Sequence, residues 1–327
     1  MARSVPQILS LSAIIVGVSL FVLTLFHINL PATVDSLGQL GFALPLILLP
    51  GAIWQILRTW GWSVAFPEDT RPAFTRLFRV RLAADALSYF TVRGIAGEPL
   101  KVVLLYDRAP PQVTTAAIAL ERVAFAVGSI AVAGLISAFA VTNLPLSPGW
   151  STLFRLLWIG AALVLWLLVW LNRRRTGDYL GRLVAALDRM TGRRLEASRI
   201  VRFLLDVEDV LLALLRGGRR RLVILSLLPV VCYLLTTIEV WIIFWAIGQP
   251  IGIAEGLAVE TFARLASIAS AAIPANVGAL EASNAAVVDA LGLAGGGSLA
   301  LSRRVRSLLW AGLGLALYPR VQAKEGR

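Results

Sequence analysis

The chain has 327 residues, of which 58% are hydrophobic and only 15% charged, where a soluble domain carries about 45–50% and about 25%. The mean hydropathy is +0.78, and the apolar excess sits in runs of about 20 residues, the length that spans a hydrocarbon core. This excludes a soluble enzyme with a large core and reads as a polytopic membrane protein. Cys232 is the only cysteine and His27 the only histidine, which excludes a disulfide scaffold and a zinc, haem or iron–sulfur site. No metal and no cofactor is therefore expected.

The net charge is +12, and Arg supplies nearly all of it: Lys101 and Lys324 are the only lysines. No basic stretch is long enough to form a nucleic-acid-binding domain outside the membrane. Positive-inside topology and anionic lipid headgroups are the better explanation of the excess.

Taken in chain order, residues 1–7 hold one Arg, and an apolar run follows up to His27. The run is longer than a signal-peptide core and lacks a small-residue cleavage site, so it reads as a retained first span. Five further segments are long enough to cross, at about 38–57, 114–141, 152–171, 222–247 and 299–319. Between the third and fourth of these, residues 172–221 hold 13 Arg and 6 acidic residues, and the positive-inside rule puts that block in the cytoplasm. Residues 142–151 are uncharged and suit the opposite side. Residues 58–81, with five Arg and two acids, read as cytoplasmic again. Both termini are then expected inside. Within the basic block, Ile200, Phe203, Leu204, Val207, Leu211 and Leu214 recur at helical spacing. That is an amphipathic helix, either on the membrane surface or packed under the bundle.

Two apolar stretches are wrong for ordinary spans. Residues 82–105 are interrupted by Arg93, Gly94, Gly97, Glu98 and Pro99. Residues 255–293 are interrupted by Pro274, Asn276 and Gly278, with Glu281 directly after. Pro and Gly free backbone groups that lipid cannot satisfy, so such breaks face protein or a wet cavity. Two interrupted segments in corresponding halves point to a transporter site. With each read as a re-entrant hairpin, six full crossings remain and both termini stay inside. The hairpins would then face opposite leaflets, as in an inverted repeat, of which the sequence carries only a faint trace. The expectation is an all-α membrane bundle. It would comprise an N-terminal half over 1–171, a cytoplasmic basic segment over 172–221 and a C-terminal half over 222–327.

Ionisable residues inside apolar stretches are Asp85, Arg93, Glu98, Glu121, Arg122, Glu239, Glu260, Arg264, Glu281, Arg303, Arg304 and Arg306. A charge at mid-bilayer costs about 2.5–3.5 kcal/mol on insertion scales, so these must point inward, pair or line water. Glu260 and Arg264 share a helical face and read either as a local ion pair or as part of a site. Glu121-Arg122 reads either as a local feature near a span start, with Arg122 reaching the headgroups, or as functional. Glu239 has no sequence-adjacent base and needs a partner from another helix. Glu98 and Glu281 stand beside helix breaks and are the strongest site candidates. The Arg303/Arg304/Arg306 cluster reads as a phosphate clamp or, alternatively, as a cytoplasmic end with a misplaced boundary. The tryptophans mostly lie near span ends, as interfacial belts do.

Several short motifs, in order, carry a resemblance: Gly94-x-x-Gly97-Glu98-Pro99, Glu121-Arg122, and Pro274-Ala275-Asn276-Val277-Gly278-Ala279-Leu280-Glu281. Together they resemble the lysylphosphatidylglycerol-synthase transmembrane family of flippase-like integral membrane proteins, over nearly the whole chain. Glu239-Val240-Trp241, Leu291-Gly292-Leu293 and Leu301-Ser302-Arg303-Arg304 look like the branch associated with hopanoid-lipid clusters. The chain departs from the family at Arg93 and Ile95, where small and polar residues are usual, and at Ala124 and Phe125, where an Asp often follows. The aminoacyl-transferase domain of the synthases is not seen, so lysyl transfer is not expected. The resemblance implies movement of an amphiphilic, anionic lipid between leaflets of a bacterial cytoplasmic membrane. Arg93, Gly97, Glu98, Glu239, Glu260, Arg264, Pro274, Asn276, Gly278, Glu281, Arg303 and Arg304 are the candidate substrate-binding residues. Hopanoids, polyprenyl phosphates and phospholipids remain open as the lipid. The competing readings are a membrane-embedded transferase with a lipid-phosphate donor, and a non-catalytic partner of lipid-synthesis enzymes.

Overall fold

The computed structural model describes residue 15 and residues 41–91, 97–173, 179–191, 198–216, 218–269 and 279–319. The described residues form eleven α-helices and no strand. Helix α1 (Leu44–Ala65) follows a short 3-10 turn and has Pro45 in its first turn, where the missing N–H costs nothing. Helix α2 (Phe74–Phe90) begins two residues after Pro72 and ends at Thr91, whose hydroxyl donates to the Leu87 carbonyl at 2.8 Å. Then come α3 (Gly97–Leu104) and α4 (Pro111–Asn143), the latter started by Pro110-Pro111. They are followed by α5 (Pro148–Arg173), α6 (Tyr179–Thr191) and α7 (Arg199–Arg216). The chain closes with α8 (Arg219–Ala246), α9 (Ile253–Ala269), α10 (Ala279–Ala290) and α11 (Gly296–Ala316).

Helices α4, α5 (over Pro148–Leu167) and α8 are each long and apolar enough to cross a membrane. The span expected at 38–57 is displaced: its helix runs from 44 to 65. The segment 58–81, read as cytoplasmic from its charge, is largely helical. Residues 58–65 complete α1 and residues 74–81 open α2, so only eight residues connect the two. Two of the five arginines counted there toward a cytoplasmic surface, Arg58 and Arg81, are each 2% exposed. The first apolar run, up to His27, lies outside the described residues.

The described residues of each interrupted stretch belong mainly to two helices, and residues 92–96 and 270–278 lie outside the described ones. In the first stretch these helices are α2 and α3, which pack against each other; in the second they are α9 and α10, which do the same. The first turns of α2 also close two other helices. Arg76 donates to the Leu104 carbonyl at the end of α3, at 2.8 Å, and Arg79 to the Leu317 carbonyl after α11, at 3.0 Å. Side-chain donors of this kind satisfy the last carbonyls, which have no intrahelical partner.

Helices α1 and α8 pack antiparallel and organise the core. At one end of the pair, Trp62, Ala65 and Phe66 of α1 meet Leu225 of α8, with Leu77, Leu87, Leu100, Leu104 and Ile118 around them. At the other end, Ile47 meets Val240, Ile243 and Phe244, with Val259, Val288 and Leu299. Helix α7 packs against α4, and Phe203, Val207, Leu211 and Leu214 join the first of these clusters. Of the two placements open for this amphipathic helix, its apolar face is thus under the bundle, while Ile200 and Leu204 stay exposed. Helix α5 packs on α4 and presents a largely exposed apolar surface, as a lipid-facing span does.

Candidate functional site

Between the two apolar ends of the α1–α8 pair lies a layer of buried charge. Its first part belongs to α1–α4. Burying Arg58 in α1 would be costly alone; its Nη1 lies 3.0 Å from Glu121 of α4, and both side chains are almost wholly buried. The guanidinium also sits 3.4 Å from the Phe125 ring centroid and 5.7 Å from that of Trp54, the cation–π packing that suits a desolvated Arg. Arg81 of α2 lies 5.6 Å from the same Trp54 ring and 3.4 Å from Asp85, one turn along. Lys101 of α3 stands 3.9 Å from Asp85, donates to both oxygens of Glu98 at 3.2 Å, and lies 5.4 Å from the Trp62 ring. Glu98 also accepts from Arg122 of α4. Glu121 and Arg122 are neighbours in sequence but about 100° apart around a helix, and they serve different partners. Arg122, with its side chain 44% exposed, is the most open member of the group.

The second part belongs to α8–α11 and centres on Glu260 of α9. Its Oε1 accepts from Arg264 Nε at 2.7 Å, one turn along the same helix. Its Oε2 accepts from Arg303 of α11. Arg264 also donates to Thr236 of α8 at 2.8 Å and lies over the Tyr233 ring at 4.3 Å. The Tyr233 hydroxyl in turn meets Thr261 at 2.7 Å. Arg303 donates to the Asn284 amide oxygen of α10 at 3.3 Å. Glu260 and its two arginines thus tie four helices together. Glu239 of α8, wholly buried, accepts from Arg306 of α11, which is the cross-helix partner its position demanded. Arg304 is buried on the same helix. Trp54 and Gly51 of α1 join the two parts: a Cβ at Gly51 would lie 3.2 Å from the Arg306 stem, while Trp54 contacts Arg58 and Arg81.

Of the candidate residues, Gly97 and Glu98 therefore fall in the first part, and Glu239, Glu260, Arg264 and Arg303 in the second, with Arg304 buried on the same helix as Arg303. Arg93, Pro274, Asn276 and Gly278 lie outside the described residues. Glu281 belongs to α10, but its side chain lies outside the described ones. The sequence reading missed Arg58, Arg81, Lys101, Tyr233, Thr236 and Asn284. Lys101 carried a usable signal, three residues after Glu98 on one helical face. Arg58 and Arg81 were obscured because they terminate runs that hydropathy reads as loop. Asn284, Tyr233 and Thr236 carry no charge and have no local mark.

A bundle of apolar helices enclosing a layer of paired charge defines a multi-pass membrane protein. The chain belongs to the family of the lysylphosphatidylglycerol synthase TM region, whose family model matches residues 8–316, and so to membrane proteins of lipid metabolism or transport. No curated protein matches it, and no solved structure does.

Proposed function

We propose that this protein moves an amphiphilic, anionic lipid between the leaflets of a bacterial cytoplasmic membrane, with both termini on the cytoplasmic side. The observation that carries this reading is the two-arginine grip on Glu260. Arg264 and Arg303, from two different helices, each hold one oxygen of a single carboxylate. A phosphate group offers the same oxygen pair, and Arg forks suit both. Glu260 offsets one of the two positive charges when no lipid is bound, and a headgroup would enter by exchanging with it. Arg264, the more exposed of the two arginines, is the member a headgroup would meet first. In this reading the broken segments α2–α3 and α9–α10 are re-entrant hairpins from opposite faces. The headgroup would cross beside the charged layer while its tails stay in lipid. Glu98, with Lys101 and Arg122, is the corresponding station in the first half.

The test is a leaflet assay in proteoliposomes with trace labelled phospholipid or polyprenyl phosphate. Transfer above empty vesicles is expected, and Arg264→Ala and Arg303→Ala should lose most of it while the protein still reconstitutes. Transfer indistinguishable from empty vesicles for every anionic lipid would overturn the reading. A covalently altered lipid in the same vesicles would indicate a transferase instead.

A further inference from the structure

Helix α6 has no place in the charged layer or in either core cluster. Its Leu183, Leu187 and Met190 follow the spacing i, i+4, i+7 of one helical face. They are 54%, 38% and 83% exposed. Helix α7 is the element α6 packs against. An apolar stripe of this kind is not left in water by a stable chain. Arg182 and Arg189 are exposed on the same helix, and the 172–221 segment around it holds 13 Arg against 6 acids.

The tethers restrict where α6 can lie. Five residues separate the end of α5 from Tyr179, and five residues reach at most about 18 Å. Two residues separate α7 from α8. Since α5 and α8 are apolar spans, the α6–α7 pair is held close to one membrane surface at both ends. We infer that α6 is an interfacial helix: Leu183, Leu187 and Met190 insert among the acyl chains of an anionic leaflet, and the flanking arginines contact its headgroups. An anionic lipid surface explains the apolar stripe and the basic surplus together, and the tethers to α5 and α8 already hold the helix close to a membrane surface. Helix α7 does not share the role along its buried face, which Val207 and Leu214 give to the bundle.

The test uses the full chain in nanodiscs, with Cys232→Ala removing the one native thiol and an environment-sensitive fluorophore attached at Leu187→Cys, Met190→Cys or the exposed polar position Arg182→Cys. With phosphatidylglycerol present, labels at 187 and 190 are expected to be blue-shifted and several-fold less accessible to aqueous iodide than the label at 182. Spin-labelled acyl chains should quench them, and the protection should fall in discs of purely zwitterionic lipid. Equal iodide access at all three positions would overturn the inference. So would protection at 187 and 190 without quenching from the acyl chains, since that means cover by protein. Protection unchanged by lipid charge would remove the anionic preference. All three positions lie on an exposed helix, and retention of the disc-incorporated monodisperse peak checks that each variant folds.

Discussion

At the residue scale, the charged side chains of this bundle are stable only in pairs, and removing one member of a pair exposes the cost. Arg58 and Glu121 are the most deeply buried pair. Arg58→Ala would leave Glu121 without its cation, and breaking a buried pair in this way costs about 3–5 kcal/mol. Replacing both, as Arg58→Met with Glu121→Met, should restore most of that loss, because two apolar residues of similar size need no partner. Thermal unfolding in detergent, followed as loss of monodisperse protein, separates the outcomes: a double variant as unstable as the single would mean that the pair does more than neutralise itself. Arg122→Ala should be milder than Arg58→Ala in the same measurement, since Arg122 is half exposed and Glu98 keeps Lys101. Many of the charges inside the bundle were legible in the sequence, although Arg58, Arg81 and Lys101 were not. Which partner each one takes was not: Glu239 needed some base, but Arg306 lies 67 positions away, and no local pattern links them.

At the element scale, close approach and amphipathic faces decide how the helices seat. Gly314 of α11 packs on the backbone of α2, and a Cβ there would come 2.7 Å from the Leu82 carbonyl carbon. Gly97, at the start of α3, would meet the Ala84 carbonyl oxygen at 2.5 Å. Gly314→Ala should therefore destabilise the protein by roughly 1–3 kcal/mol through overpacking. Gly160→Ala, in the open face of α5 with nothing within 4 Å, should be neutral or stabilising by up to about 1 kcal/mol through helix propensity. Unfolding midpoints of the two variants that coincide would refute the packing argument. Helix α7 gives a second contrast. Leu214→Asp puts a charge into the core cluster and should release α7 to limited proteolysis, whereas Ile200→Asp, at the exposed first turn of the same face, should leave cleavage unchanged. Periodicity identified α7 as amphipathic, but could not say whether lipid or protein covers it, because both are apolar.

At the scale of the whole molecule, the bundle separates two apolar core clusters by a polar layer, and the helices of both interrupted segments contribute to that layer. A headgroup pathway beside it predicts that variants in either half reduce the same leaflet transfer. Glu98→Gln and Arg303→Ala should each lower the rate several-fold without changing which lipid moves. Full activity in Glu98→Gln would confine the pathway to the second half.

The class of protein followed from the sequence alone, because hydropathy adds up locally along the chain and about 20 apolar residues have few other uses. Pro and Gly act on their own backbone, wherever the helix lies, but the interruptions expected at Arg93, Gly94, Pro274, Asn276 and Gly278 lie outside the described residues. The ends of α1 and α2 were less legible, since Arg58 and Arg81 look like loop residues until their burial is seen. Only the tertiary structure decided that Glu260 binds two arginines, that Glu121 and Arg122 part company, and that α1 and α8 enclose the charged layer. Ion pairing depends on which helices meet and at what height, and that information is spread over the whole fold.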